Sequence, residues 1–379
     1  MQSLAVARAV TRDGVLTDVR ISFEDGRIAA IEPGAGDGAA PLWAVPGFVD
    51  THCHGAVGVS FGDPDPAANR RARDFHLAHG TTTLFASTVT RSLEDLERES
   101  AALRALFDEG VVDGIHLEGP FLAEAKKGAH AAELLVDPTP EAVERLLAAG
   151  GPALKMITMA PERAHAMEAI RRFREAGVVV AFGHTDADAD TCRASIDAGA
   201  TAATHLFNAM NGIHHRVPGP VPTLLHDERV LAELICDGVH LHPDVIRLAH
   251  EAAGPDRIAL VTDAMSATGS ADGAYKLGGL DVIVRDGVAR LTTADGSPGA
   301  IAGSTLTMDE AFRFVVSEVG IPIPEVARMA ATTPARYHGL TEVGEIAVGK
   351  RADLCLVDDD GRLQGVVRGG VHIPPARSA

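Results

Sequence analysis

The sequence predicts an α/β fold: a (β/α)8 barrel of the TIM type carrying a small β-sandwich built from both chain termini. Three observations lead there. From Pro46 onward, eight short apolar runs alternate with helix-like segments. Both ends of the chain instead alternate apolar and polar residues around Asp-Gly and Gly turns. Most of the apolar runs end in histidine or carboxylate, the pattern expected where loops after barrel strands form one functional rim.

Residues 4–32 place Val19, Ile21, Phe23, Ile28 and Ile31 at alternating positions around Asp13-Gly14 and Asp25-Gly26, which are hairpin signals. Residues 344–368 repeat the style, with an apolar run from Ala352, a turn at Gly361 and a second run from Leu363. Neither segment is large enough to fold alone. They are expected to pair, so that residues 1–46 and 341–379 form the small domain and residues 47–340 the barrel. The eight apolar runs cover 48–52, 82–87, 114–117, 154–159, 178–182, 201–206, 231–236 and 258–262. Helical patterns at 92–109, 139–149, 162–176 and 243–253 supply crossovers. An open doubly wound sheet shares this alternation, but no Gly-x-Gly-x-x-Gly follows the first run. After the eighth, residues 275–293, with Asp272-Gly273 and Asp286-Gly287, read as a hairpin, and helices are expected at 307–317 and 324–332. The tail from 369 to 379 is expected to be mobile.

A length of 379 residues suits one barrel with an appendage, and 46% hydrophobic residues with 23% charged is a globular composition. The formal charge of -18 argues against nucleic acid or an acidic membrane as partner, since no basic field attracts phosphate backbones. It leaves a small anionic substrate open, because one or two local cations reverse the sign inside a pocket. Cys53, Cys192, Cys236 and Cys355 form no Cys-x-x-Cys pair, which fits a reducing cytoplasm and no disulfide framework. Arg8 and polar residues occupy the start, where a signal peptide would be apolar, and no run approaches a membrane span. A soluble, cytoplasmic protein is expected.

The chemistry collects at the strand ends. In Asp50-Thr51-His52-Cys53-His54, residues i and i+2 of a strand share a face, so His52 and His54 can aim two imidazoles at one point while Cys53 turns away. A lone His-x-His is more often a hydrogen-bonded pair than a metal site. Here, however, the third run ends in His116-Leu117-Glu118, the fifth in Gly183-His184-Thr185, the sixth in His205-Leu206-Phe207-Asn208 and the eighth in Asp263. Coincidence at five rim positions is far less plausible than coincidence at one. Imidazole and carboxylate without thiolate suit zinc or a similar divalent metal. His76, His79, His165, His226, His242, His250 and His338 lie on helical or connecting stretches and read as structural. Asp186, Asp188 and Asp190 read as the solvated start of a helix.

Seven motifs carry a resemblance: Pro46-Gly47-Phe48-Val49-Asp50-Thr51-His52, Gly114-Ile115-His116-Leu117-Glu118-Gly119-Pro120-Phe121, Lys127-Gly128-Ala129-His130, Gly183-His184-Thr185, Thr204-His205-Leu206-Phe207-Asn208-Ala209-Met210, Asp237-Gly238-Val239-His240 and Thr262-Asp263-Ala264-Met265. In order and spacing they resemble the amidohydrolase superfamily and, within it, the N-acetylglucosamine-6-phosphate deacetylases. The resemblance implies that Glu118, His184 and His205 hold the principal metal, with Glu118 replacing the carboxylated lysine that bridges two metals elsewhere in the superfamily. One or two zinc ions per subunit are implied. Both His52 and His54 are retained, so a second metal shared through Glu118 is expected. Lys155, a formal candidate for a carboxylated bridge, lies at the start of its run and reads as structural.

By the same resemblance, Asp263 exchanges the proton between water and the departing amine, and also belongs to the metal environment, while His130 polarises the acetyl carbonyl. Arg216 and His240, with Asn208 and the Ala209 backbone, take the phosphate, and Ile301, Ala302 and Gly303 touch the sugar. In relatives the arginine arrives from a neighbouring subunit, which implies a homodimer. The implied reaction is hydrolysis of the N-acetyl group of N-acetyl-D-glucosamine 6-phosphate, in amino-sugar catabolism or cell-wall recycling. The competing readings are the galactosamine epimer or another N-acyl amino sugar, a cyclic-amide hydrolase of the same superfamily, and a catalytically silent barrel. The cyclic-amide reading calls for a bridging lysine at the end of the fourth strand, and a silent barrel is expected to have lost ligands.

Overall fold

The computed structural model describes residues 2–35, 38–293 and 297–374. Each of the eight apolar runs contains a strand: Phe48–Cys53, Thr81–Thr88, Gly114–Glu118, Leu154–Met159, Val179–Phe182, Ala202–Ala203, Leu231–Leu234 and Ile258–Leu260. In that order neighbours pair in parallel to form one eight-stranded sheet. Nearly all of its residues are buried, as expected of parallel strands covered outside by helices and filled inside by side chains.

The eighth strand meets the first just beyond its regular end. The Asp263 N–H donates to His52 O and the His54 N–H to Ala264 O, both at 2.8 Å, and Cys53 forms a parallel bridge with Ala264. Thr262 Oγ1 donates to the buried Asp50 carboxylate at 2.6 Å, and the Thr262 N–H reaches its other oxygen at 3.3 Å. Burial pushes the Asp50 carboxyl up to about 6 against the opposing pull of these bonds. The seam that closes the barrel thus ties together the two segments carrying His52, His54 and Asp263.

The crossover helices begin on capping side chains: Asp65 before Pro66–Ala78, Ser92 before Leu93–Asp108, Thr139 before Pro140–Gly150 and Asp188 before Ala189–Ala198. Asp188, one of the three acids read as a solvated helix start, accepts from the Thr191 N–H at 2.8 Å. Leu96, Leu103 and Leu106 form a buried stripe at helical spacing on Leu93–Asp108 and face the barrel core with Phe173, Phe182 and Leu224. Among the described residues, no helix is long and apolar enough to cross a membrane.

Both termini enter one seven-stranded sheet, ordered Val371–Ile373, Leu363–Arg368, Leu354–Val357, Ala40–Pro46, Gln2–Thr11, Gly14–Glu24 and Arg27–Glu32. A bridge between Arg27 and Arg351 curls this sheet over its own core of Val6, Val19, Ile21, Phe23, Ile28, Leu354 and Val367. The termini thus share one small sheet of their own, separate from the barrel sheet. The expectation of a mobile tail needs correction. Gly369 and Gly370, both at positive φ, turn the chain so that Val371–Ile373 pairs with Leu363–Arg368; residues 375–379 lie outside the described residues. The insertion after the eighth strand is also larger than one hairpin. It is a four-stranded antiparallel sheet of Gly273–Leu277, Leu280–Arg285, Val288–Thr292 and Pro298–Ile301, packed on Met265 and Ala302.

Replacing Thr262 with Val keeps the shape of the seam but removes the hydroxyl from the buried Asp50 carboxylate. A loss of about 1–3 kcal/mol is expected. Urea unfolding of the two proteins measures it, and an unchanged midpoint would contradict this account of closure.

Candidate metal centre and its pocket

Every residue expected to bind metal lies at the C-terminal mouth of the barrel. His52 is in the first strand and His54 just past it; their Nε2 atoms are 3.0 Å apart, while the Cys53 thiol turns to His76. Glu118 ends the third strand. His184, His205 and Asp263 follow the fifth, sixth and eighth strands at positive φ of 49°, 30° and 50°. Left-handed backbone at such residues costs about 1–3 kcal/mol each and persists only where surrounding contacts impose it. Those contacts are visible: the Ala123 N–H donates to His184 O, the Leu206 N–H to Glu233 O and the Ser304 N–H to Asp263 O. Before His184, a Cβ on Gly183 would come within 2.4 Å of Thr158 Cγ2, so only glycine allows the strands to approach so closely there.

Two triads result, His52–His54–Asp263 and Glu118–His184–His205, each with its ligand atoms mutually within 4.8 Å. Glu118 joins them. Its Oε1 lies 3.1 Å from His205 Nε2 and 3.3 Å from His184 Nε2, and its Oε2 lies 3.3 Å from His54 Nε2. Asp263 Oδ1 is 3.1 Å from His54 Nε2 and 3.4 Å from His52 Nε2. A tetrahedral ion with bonds near 2.0–2.1 Å has ligand-to-ligand edges of about 3.3 Å, so the spacing fits a zinc-sized divalent cation. The tautomer fits as well: His184 Nδ1 donates to Lys126 O at 2.9 Å, leaving the Nε2 lone pair turned into its triad.

Above the triads opens a cavity of about 410 Å³. His54, Glu118, His130, His184, His205 and Asp263 form its reactive wall, and Asn208, Ala209, His240, Ile301 and Gly303 also line it. Two residues expected to touch substrate do not line the cavity of this chain. Ala302, just past the strand Pro298–Ile301, is fully buried against Met265 and Leu277, whereas Ile301 and Gly303 on either side of it line the cavity. Arg216 is exposed, its guanidinium 2.6 Å from His215 Nε2, and it does not line the cavity of its own chain.

The amidohydrolase family profile matches residues 43–373. The chain belongs to the amidohydrolase family. It is 33% identical over 380 residues to N-acetylglucosamine-6-phosphate deacetylase of Lysinibacillus sphaericus, covering 98% of this chain and 96% of that protein. It is 36% identical over 371 residues to N-acetylgalactosamine-6-phosphate deacetylase of Escherichia coli O157:H7, covering 96% and 97%. Among solved structures, a mutant N-acetyl-D-glucosamine-6-phosphate deacetylase from Mycobacterium smegmatis in complex with N-acetyl-D-glucosamine-6-phosphate superposes with a TM-score of 0.92, at 42% identity and 98% coverage of both chains. The resemblance read from the motifs is borne out by these matches.

Within this amidohydrolase, several contributors escaped the sequence reading. Thr90 Oγ1 lies 2.8 Å from His130 Nδ1 and turns the other imidazole nitrogen to Glu118 Oε2 at 3.4 Å. Asp237 holds His240 Nδ1 at 2.6 Å. Lys126 lines the cavity, its Nζ 3.6 Å from Asp186. Glu233, fully buried in the seventh strand, lies beneath His52. Only Asp237 carried a signal, three residues before His240 within a motif. Lys155 is structural as expected, its Nζ 5.3 Å from the Phe107 ring. The other histidines stay outside both triads: His76 bonds Gly55 O, His79 pairs with Asp309, and His242 caps Pro243–Ala253.

The charges inside the mouth depend on one another. Burial would raise the Glu118 carboxyl, but His52, His130 and His184 outweigh it and hold it well below the ordinary carboxylate range. Burial likewise opposes ionisation of His52, yet Asp263 and Glu118 outweigh that and raise it to about 10. In the metal-free chain, a proton therefore stands on His52 at neutral pH, where the cation requires a lone pair. Metal binding must release that proton, so affinity rises with pH. Chelator competition between pH 6 and pH 8 is expected to show roughly a tenfold gain per unit for each proton displaced. A flat profile would mean that His52 is already neutral.

Proposed function

We propose that this amidohydrolase removes acetate from N-acetyl-D-glucosamine 6-phosphate, leaving D-glucosamine 6-phosphate. The observation that carries the reading is the position of Asp263: its Oδ1 is within 3.1–3.4 Å of both first-strand imidazoles and faces the cavity beside Glu118. A zinc ion bound by Glu118, His184 and His205, with a second ion at His52, His54 and Asp263, would polarise the amide carbonyl and bring water towards neutral pKa. Asp263 takes the proton of that water and returns it to the amide nitrogen, because an unprotonated amine leaves poorly. His130, held by Thr90, directs Nε2 to the wall where the acetyl oxygen gains charge. Asn208, Ala209 and His240 bind the phosphate from within the chain.

Arg216 completes the phosphate site of a neighbouring subunit in a homodimer. Supporting this, Ile213 and Val217, on either side of the His214-His215-Arg216 turn, are 53% and 67% exposed, an apolar surface suited to a second copy. The galactosamine epimer is the second reading, favoured by the 36% identity to the Escherichia coli enzyme that bears that name. Initial rates on the two epimers at equal concentration separate the readings, and hydrolysis of neither removes both.

Asp263→Asn is expected to lower kcat about 10²- to 10⁴-fold while metal remains bound to the Glu118 triad. Steady-state assays with metal analysis check this; turnover within a few-fold of the native rate would remove Asp263 from proton transfer. Subunit crossing has its own check. Arg216→Ala and Asp263→Asn chains are each impaired, but mixed dimers contain one site with both residues intact. Activity should therefore recover on mixing to about a quarter of the native value per site if the chains pair at random. No recovery despite demonstrated exchange would confine Arg216 to its own chain.

A further inference from the structure

We infer that Glu233 is a positioning residue whose charge, delivered through His52, allows a second divalent cation to bind at His52, His54 and Asp263. The inference rests on the metal-hydrolase reading above. Glu233 lies in the middle of a fully buried strand, Leu231–Leu234, where apolar side chains would serve the fold. An ionised carboxylate in such a place costs several kcal/mol unless charge or hydrogen bonds offset it. Its Oε1 accepts from Thr51 Oγ1 at 2.8 Å. Its Oε2 faces His52 Nδ1 at 3.4 Å, and among the described residues neither atom has a hydrogen-bond partner of better geometry.

A neutral imidazole carries one proton. Glu233 draws it to Nδ1, so that Nε2 keeps its lone pair where it meets His54 and Asp263. The other triad lacks this device, since His184 Nδ1 meets the neutral carbonyl of Lys126. Charge makes the same distinction. Glu118 and Asp263 together carry two negative charges, which balance one divalent cation. A second cation adds two positive charges; Glu233 and the attacking hydroxide supply one negative charge each. Asp50, the buried acid of the first strand, is already committed to Thr262 across the seam.

Glu233→Gln tests this, because it keeps size and an acceptor for Thr51 while removing the charge. Native and variant chains are loaded with zinc, dialysed and analysed for metal, and the weaker equivalent is titrated with a chromophoric chelator. Two equivalents are expected in the native chain. The variant should keep one and bind the second about 10- to 100-fold more weakly. Thr51→Val, which cuts the other bond of Glu233, should keep both equivalents. If Glu233→Gln does not fold, Glu233→Met combined with Thr51→Val, which removes the carboxylate together with the hydroxyl bonded to it, is loaded in its place with the same loss expected. Two equivalents of native affinity in the glutamine or methionine variant would overturn the inference while leaving deacetylation untouched. One equivalent in the native chain would overturn the second-ion site and the inference with it. No metal and no hydrolysis by the native chain would remove the enzyme reading itself.

Discussion

The mouth of this barrel is organised around one buried carboxylate, Glu118, shared between two sets of imidazoles. It is 4% exposed and has four histidine nitrogens within 3.4 Å. Water is excluded, so the carboxylate is stable only while positive charge surrounds it, whether protons on imidazole or a metal ion. That requirement accounts for the left-handed backbone of two of its partners, His184 and His205, and Asp263 of the other triad shares it. Strands ending in ordinary extended geometry would splay His184, His205 and Asp263 apart; the positive-φ turns bring them back over the barrel axis, and a cation in the middle would repay the strain.

Beneath that layer the barrel interior is polar but uncharged where it can be. His116 is fully buried between Ser87 Oγ at 2.9 Å and Thr158 Oγ1 at 2.8 Å, and Thr158 continues to Thr204 at 2.6 Å. Its ring stands edge-on to His52 with centroids 4.5 Å apart. Burial first, and the nearby His52 second, hold the His116 imidazole well below its usual range. A neutral ring there stiffens the floor without adding positive charge under a cation site. The hydroxyls of Ser87, Thr158 and Thr204 therefore fix geometry, while the carboxylates of the two triads are Glu118 and Asp263, with Glu233 behind His52.

The sequence revealed side chains that end strands far better than those that face inward. His52, His54, Glu118, His184, His205 and Asp263 were legible because the apolar runs gave the strands and the strand ends gave the rim. Thr90 and Glu233 were hidden, because inside or beside an apolar run nothing distinguishes a residue that points to the site from one that merely fills the interior. Ala302 shows the same limit in reverse: its neighbours line the cavity, while its own methyl packs into the core of the four-stranded insertion, which the motif gave no means of foreseeing. The paired tail was legible in principle from Gly369-Gly370 between two apolar stretches, but an eleven-residue terminus with two prolines and no further turn gave it little weight. Arg216 is exposed and lies outside the cavity of its own chain.

The charge of -18 appears at odds with a phosphorylated substrate, and distance resolves the conflict. At physiological ionic strength the screening length is about 8 Å, so carboxylates on the outer helices hardly reach the mouth. What an entering anion meets is the lining itself: Lys126, His130 and His240, with Glu118 and Asp263 turned towards the imidazoles. Lys126 is partly neutralised by Asp186 and Asp237 secures His240, so positive charge at the rim is modest, and without a cation the proton on His52 offsets only part of the charge of Glu118 and Asp263. Metal loading consequently does more than activate water. It reverses the sign of the floor of the pocket, and an empty centre would repel the same anion that a filled one draws in.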